Sequence, residues 1–320
     1  MEQSNETIIA ICGASGYQGQ AVLKSLSLNK NYKLLFLTRE PHNENNLQII
    51  SNYDNVEAVY CDFNKPLSVI EATEGVTGIF INTGCQDNVV TEIQQLKNIA
   101  IACKSNDIQK IVYSTLEYSY DYKIELDELN TVDDELINTI KVPNFDGKGS
   151  CVDYFESLDI HDNICFLYPS MYYNNFFGTI PMETIMNTKI LNIPFTSETT
   201  NNLPLMDLND YGNAVKIVFE NFADFAGEHV GFSSEILSGQ EIVDTLNETT
   251  KTEYLYKPSD YEYYKTINKE LANEYEFQRL INNHYCYLRR NDVWDNYGLT
   301  PKTFKTWIDE NMNTLVYKNT

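Results

Sequence analysis

Positive charge is scarce in this chain. Of its 320 residues 23 are lysine or arginine, only four of them arginine, against 46 aspartates and glutamates; the formal net charge is −23. So acidic a surface repels phosphate backbones, and direct nucleic-acid binding is not expected, even for a protein that works in transcription. The four histidines are scattered and show no metal-ligand spacing, so no metal site is expected. No run approaches the 18 uninterrupted apolar residues of a spanning helix, and no membrane partner is expected. Residues 1–7 are polar and lack the basic-then-apolar order of a signal peptide. The expected compartment is cytoplasmic, with nuclear access open. Seven cysteines, an odd number, stand at Cys12, Cys61, Cys85, Cys103, Cys151, Cys165 and Cys286, none in a CxxC pair. The favoured reading is reduced thiols serving as small core residues; a redox-sensing thiol is the alternative, without a local signature.

What the chain does have is concentrated in residues 7–19. Residues 7–12, Thr-Ile-Ile-Ala-Ile-Cys, read as a short, buried parallel strand. Gly13, Gly16 and Gly19 follow at spacing three and three, and then Ala21, Val22, Leu23 and Leu26 mark a helix face. Strand, glycine turn and helix form the context of a dinucleotide fingerprint. The first glycine allows the tight turn, the second lets backbone approach a pyrophosphate, and the third lets helix and strand pack closely. The helix N-terminus then offers N–H groups to phosphates. A purely structural turn is the bland alternative. Residues 32–37 read as a second strand, followed by Thr38 and by Arg39, 20 residues after Gly19. An NAD site usually has a carboxylate here for the ribose 2′-hydroxyl, whereas an arginine can pair with a 2′-phosphate, so NADP(H) is the expected cofactor. Glu40 is the counterweight: it is either a ribose acceptor or a surface partner of Arg39.

Strand and helix patterns then alternate: strands at 55–62, 78–83, 109–115 and 165–168, helices at 67–73 and 89–103. That rhythm predicts an α/β fold, a Rossmann-type doubly wound parallel sheet. Residues 117–146 interrupt it with an acidic insertion of uncertain order. Residues 171–177 are crowded with aromatics and asparagines, which suits either a pocket wall or buried packing. Later helices are expected after Asp207 or Asn209, after Ser238 with Glu241 in a capping box, from Pro258, and after Thr300 with Pro301 at the first position. Too few strands are legible there for a second large sheet. The expected division is a nucleotide-binding domain of residues 1–170 plus about 203–232, and a smaller, mostly helical domain of about 171–202 plus 233–320.

The stretches GASGYQG, LTRE, IVYSTLE, FDGKG, PLMDLNDYG, PSDYE and LTPKTF, in this order, resemble the NmrA-like family, atypical members of the short-chain dehydrogenase/reductase superfamily. The similarity is greatest to its NADP-sensing redox-regulator branch, typified by the human NmrA-like protein. The resemblance implies that Gly13, Ala14, Ser15, Gly16, Tyr17, Gln18 and Gly19 hold the pyrophosphate and Arg39 the 2′-phosphate. It implies that Asp62 and Phe63 flank the adenine and that Asn82, Thr83 and Gly84 line the ribose. Lys148 would reach the nicotinamide ribose, and Tyr172, Tyr173 and Asn174 the nicotinamide end. One departure is plain: a basic residue expected shortly after the arginine is missing, since His42 and Asn43 stand there.

Reductases of the parent superfamily use Tyr-x-x-x-Lys, the tyrosine exchanging the proton and the lysine lowering its pKa and holding the ribose. Here Asn144 stands four residues before Lys148, and an amide cannot exchange a proton at neutral pH. The one literal match, Tyr261 to Lys265, lies far outside the nucleotide domain, and with 23 tyrosines it carries little weight. Tyr113, Tyr118, Tyr154, Tyr172 and Tyr173 stay open as proton donors. Lys148 is thus either a ribose clamp or the one catalytic residue. The leading expectation is a non-catalytic NADP(H)-responsive regulator acting through a protein partner in transcriptional control. The alternative is an NADPH-dependent reductase of a small carbonyl, quinone or imine; a purely structural protein with a vestigial site is third.

Overall fold

Short apolar runs closed by turn residues become the strands of a parallel sheet. The computed structural model describes residues 7–84, 88–123, 125, 130–131, 139–177, 180, 182–194, 202–250, 252–259 and 261–317. In chain order the first elements are β1 (Thr7–Ile11), α1 (Tyr17–Leu26), β2 (Tyr32–Thr38), α2 (Glu44–Ile50), β3 (Val56–Tyr60), α3 (Pro66–Ala72), β4 (Gly78–Ile81), α4 (Val89–Ser105) and β5 (Lys110–Ser114). They continue with α5 (Pro143–Gly149), α6 (Val152–Ser157), β6 (Ile164–Tyr168), α7 (Leu208–Glu220) and β7 (His229–Phe232). The strand order is β7-β6-β5-β4-β1-β2-β3, continued beside β7 by Arg289–Arg290, which makes eight strands. β1 pairs in parallel with β2 and with β4, so that Ile9 lies opposite both Leu34 and Gly78. The order reverses between β1 and β4, and ligands of such sheets bind outside the strand ends at that switch point.

The chain divides into two compact units. One comprises residues up to Ser119, Asn130–Tyr168 and Tyr211–Val230; the other comprises Tyr120–Leu129, Pro169–Asp210 and the residues from Gly231 onward. In the first unit, β1 and β4 are buried in the sheet's centre, and Leu96, Ile99 and Cys103 of α4 are buried with them. α7 approaches α1 so closely that a Cβ at Gly212 would lie 2.2 Å from the Ala21 carbonyl oxygen. Ser25 Oγ donates to Asn213 Oδ1 across the same seam at 2.8 Å. Cys12, Cys61, Cys103, Cys151 and Cys165 are free and buried. Burial pushes the Cys61 thiol up to about 12 and Cys12, Cys103 and Cys165 upward as well, so these are core residues without accessible thiolate. Cys85 lies outside the described residues.

The second unit has five helices among its described residues and two three-stranded sheets. Asn202–Met206 pairs with Glu235–Ser238 and with Met171–Tyr172, which is why residues 203–210, expected with the nucleotide domain, belong here. Leu203, Leu205, Ile242, Leu246, Phe304, Trp307 and Ile308 share one core. The helix from Ser238 has the expected capping box. Of the two caps weighed for α7, Asp207 fills the role: its Oδ1 accepts from the Asn209 N–H at 2.6 Å. Two expected helix starts are corrected. Pro258 and Ser259 end a strand, paired with Ile193 and Pro194, and the next helix begins at Tyr261. The last helix begins at Phe304, not after Thr300. The Lys302 N–H donates to Asp210 Oδ2 at 2.7 Å and the Phe304 N–H to Glu235 Oε2 at 2.5 Å. Those carboxylates hold residues 302 and 303 outside the helix, and Thr303 Oγ1 takes the cap bond from the Thr306 N–H at 3.1 Å. Of the insertion at 117–146, residues 124, 126–129 and 132–138 lie outside the described residues.

Because Gly212 abuts backbone, Gly212→Ala forces α1 and α7 apart. Overpacking of this kind costs about 1–3 kcal/mol. Thermal unfolding followed by circular dichroism should show a melting temperature lowered by several degrees. An unchanged melting temperature would mean that the seam yields freely.

Candidate functional site

The three glycines of the first turn answer to different constraints. Gly13 has φ +68°, and a Cβ there would stand 2.6 Å from the Asn82 carbonyl oxygen at the end of β4. A Cβ at Gly19 would lie 2.2 Å from the Gly13 carbonyl oxygen. Both glycines are required by the protein's own packing. A Cβ at exposed Gly16 would meet only the Gly13 carbonyl, at 3.3 Å, a tighter contact than most but far looser than those at Gly13 and Gly19. The space over Gly16 is therefore left open for something other than the fold. Gly16 is also the N-cap of α1, and it supplies no capping side chain; the first turn holds no acidic residue. The N-terminus of α1 suits an anion.

Beside the turn, Gln18 faces inward: its Oε1 accepts from Ser114 Oγ at 3.0 Å, and Ser114 Oγ accepts from the Tyr211 hydroxyl at 2.7 Å. Ala14 is buried, whereas Ser15 and Tyr17 are exposed. Arg39 and Glu40 are exposed just past β2. Asn46 Nδ2 shapes that turn by donating to Thr38 Oγ1 at 3.2 Å and to the Glu40 carbonyl at 2.9 Å. Past β3, Asp62 lies nearly buried, accepting from the Asn64 N–H at 3.1 Å and pairing with Lys65 Nζ at 3.0 Å. Burial raises its pKa, but the bonds from Lys65 and Asn64 and the charges of Lys65 and Arg39 outweigh that, holding the carboxyl below its usual range. Phe63 is half-buried beside it. Past β4, Asn82 is half-buried, Thr83 buried and Gly84 exposed; residues 85–87 lie outside the described residues.

Lys148 sits on α5, and the FDGKG motif explains how. Asp146 is buried; its Oδ1 accepts from the Ser119 N–H at 3.1 Å, and its Oδ2 from the Lys141 and Val142 N–H groups at 2.9 and 2.8 Å. Gly147 leaves room for Glu92, whose Oε2 would be 2.6 Å from a Cβ, and Gly149 lies against the Tyr118 backbone. Lys148 Nζ pairs with Glu92 Oε1 at 2.5 Å, the two side chains 12% and 0% exposed. Thr83 Oγ1 donates to the same Oε1 at 2.7 Å, while among the described residues no group hydrogen-bonds the buried Oε2. Glu92 was not foreseen. Its signal was available, for position 92 falls within the apolar stripe of Val89, Ile93, Leu96 and Ile99, where a carboxylate needs a partner.

The tyrosines left open as proton donors are placed as follows. Tyr113 is fully buried, burial pushes its phenol far up, and its hydroxyl donates to the Lys148 carbonyl at 2.7 Å. Tyr118 and Tyr154 are half-buried. Tyr172, Tyr173 and Asn174 belong to the second unit. There the Tyr173 side chain is buried, with its hydroxyl shared between the Lys302 carbonyl at 2.9 Å and Glu235 Oε2 at 3.3 Å. In the Tyr261–Lys265 match, the tyrosine hydroxyl donates to Asn273 Oδ1 at 3.0 Å and Lys265 Nζ lies 5.3 Å above the Tyr261 ring. Asn144 is exposed on α5, one turn before Lys148.

The NmrA-like family model matches residues 5–308. The chain belongs to the NmrA-like family. An NmrA-like family domain-containing protein of Dictyostelium discoideum is 24% identical over 274 residues, covering 82% of this chain and 84% of that one. An NmrA-like family domain-containing oxidoreductase of Aspergillus versicolor is 26% identical over 264 residues, 77% of this chain and 70% of that one. Among solved structures, NmrA, a negative transcriptional regulator, in complex with NADP superposes with a TM-score of 0.75 at 17% identity, over 98% of each chain; its complex with NAD gives 0.74. The superposition shows a shared fold. No helix among the described residues is long and apolar enough to cross a membrane.

In this NmrA-like chain, losing one member of the buried pair strands the other. Breaking such pairs typically costs about 3–5 kcal/mol. Lys148→Met should therefore destabilise the protein by about that amount, and adding Glu92→Gln should restore much of the loss. Chemical denaturation of the four proteins of the cycle measures this. Additive single effects would show that the two side chains do not depend on each other.

Proposed function

We propose that this protein binds NADP(H) and acts, without turning it over, as a redox-responsive regulator of a protein partner in the cytoplasm or nucleus. The observation that carries this reading is Lys148: it is committed to buried Glu92, and Asn144, one turn away, has no acid or base group to offer at neutral pH. A nicotinamide dinucleotide fits the residues present. Gly16 leaves a cradle that a Cβ would fill, the N-terminus of α1 suits a pyrophosphate, and Arg39 is exposed just past β2, where an arginine can pair with a 2′-phosphate. Asp62 and Phe63 would border the adenine, Asn82 to Gly84 the ribose, and Lys148 the nicotinamide ribose. When bound, the dinucleotide supplies a hydride donor or acceptor at its nicotinamide ring. Regulation would run through α5: Asp146 ties to that helix both sides of the acidic insertion, at Ser119 and at Lys141 and Val142. A ligand that meets Lys148 favours one arrangement of those attachments only by binding it more tightly. The second reading, an NADPH-dependent reductase of a small carbonyl, quinone or imine, is favoured by the oxidoreductase name of the Aspergillus relative.

NADP should bind roughly 10–100 times more tightly than NAD, since a charge-assisted pair at Arg39 contributes about 1.5–3 kcal/mol. Calorimetry should find that ratio, and Arg39→Ala should shrink it. Equal affinities in the native protein would hand the ribose to Glu40. NADP at 100 times its Kd adds about 2.7 kcal/mol of stability. It should also slow proteolysis between residues 119 and 141, and Asp146→Asn should abolish that protection. Stabilisation without protection there would leave binding intact but remove the proposed route of regulation.

A further inference from the structure

Arg39 lacks the basic neighbour expected shortly after it. His42 is exposed, and Asn43 spends its side chain on capping α2, its Oδ1 accepting from the Asn45 N–H at 3.0 Å. A second cation nevertheless arrives from the adjacent strand. Thr38 and Tyr60 are paired at the ends of β2 and β3, and the Cys61 N–H donates to the Thr38 carbonyl at 2.8 Å. Arg39 and Asp62 thus leave neighbouring strand ends. The chain then turns back, with the Lys65 N–H donating to the Asp62 carbonyl at 2.9 Å. That turn brings Lys65 Nζ within 3.0 Å of Asp62 Oδ2 and 3.5 Å of the Tyr60 hydroxyl. Arg39 and Lys65 both act on the Asp62 carboxyl.

We propose that Lys65 is a specificity-determining residue, the second cation that, with Arg39, receives the 2′-phosphate of NADP in place of the basic residue missing at positions 42 and 43. The proposal rests on the dinucleotide reading of the site. The division of labour follows from exposure. The Asp62 side chain is 13% exposed and held by the Asn64 N–H, so it is the fixed member. The Lys65 side chain is 65% exposed, and an exposed pair of this kind contributes little, so the lysine's flexible stem turns to a stronger anion at small cost. Asp62 holds Lys65 in place, and Arg39 leaves the neighbouring strand end, so a phosphate arriving there would replace Asp62 as the partner of Lys65 and pair with Arg39 as well. Glu40 beside Arg39 and Glu71 on α3 keep the surroundings acidic, so a ligand must bring enough charge to compete, as a phosphate monoester does and a ribose hydroxyl does not.

The test is calorimetry of the full chain with NADP, NAD, 2′,5′-ADP, 5′-ADP and inorganic phosphate. Lys65→Gln should weaken NADP and 2′,5′-ADP about tenfold and move NAD and 5′-ADP less than twofold. Lys65→Arg should keep the NADP preference. Arg39→Ala with Lys65→Gln should bring NADP and NAD to equal affinity. Equal weakening of NADP and NAD by Lys65→Gln would make Lys65 a structural or adenine-side residue and overturn the proposal, and so would no change in either. Inorganic phosphate binding as tightly as 2′,5′-ADP would also overturn it, by showing a general anion site. A native chain that prefers NADP while ignoring Lys65 would leave the dinucleotide reading standing, and one that binds neither dinucleotide would end both.

Discussion

Glu92 holds three elements at one point. Its carboxylate takes the Thr83 hydroxyl from the end of β4, it rides on the buried face of α4, and it receives the Lys148 ammonium from α5. An anion without exposed surface is tolerated only when paired and hydrogen-bonded. The sequence around it accommodates that need: Gly147 gives the carboxylate space, and Asp146 fixes the helix that carries Lys148. Removing Lys148 would leave a bare charge in the interior of the first unit.

The same pair narrows the chemistry open to the site. A reductase of the parent superfamily needs a phenol beside its lysine, and Tyr113, which reaches the Lys148 backbone, is buried with its hydroxyl spent on that residue's carbonyl. The proposed role of Lys148 is accordingly that of a clamp on a hydroxyl-bearing ligand, with no proton relay beside it. In the proposed reading, recognition falls to the glycine turn and to the cations past β2 and β3.

Much of the first unit was legible in the sequence because each strand is a local signal: a short apolar run, a turn residue, then a helix period. The glycine spacing was legible for the same reason. The second unit's strands were not, because Asn202–Met206 and Glu253–Ser259 take their identity from partners far along the chain and carry Pro204 and Pro258 inside them. The start of the last helix was misplaced because Asp210 and Glu235, remote in sequence, capture the N–H groups that a local cap would have taken. Glu92 and Lys65 were hidden differently. Glu92 reads in the sequence as one charge in an apolar stripe, and Lys65 lies 26 residues after Arg39, brought toward it only by the pairing of β2 with β3.

Whether Lys148 clamps or catalyses is decided most directly by mixing the native protein, in excess, with NADPH and a panel of quinones and small carbonyls and following the absorbance of the reduced nicotinamide. A non-catalytic site gives binding without decay of that signal over many minutes. Rapid decay with any of these acceptors, at a rate set by protein concentration and lost in Lys148→Met with Glu92→Gln, would contradict the regulator and establish a reductase.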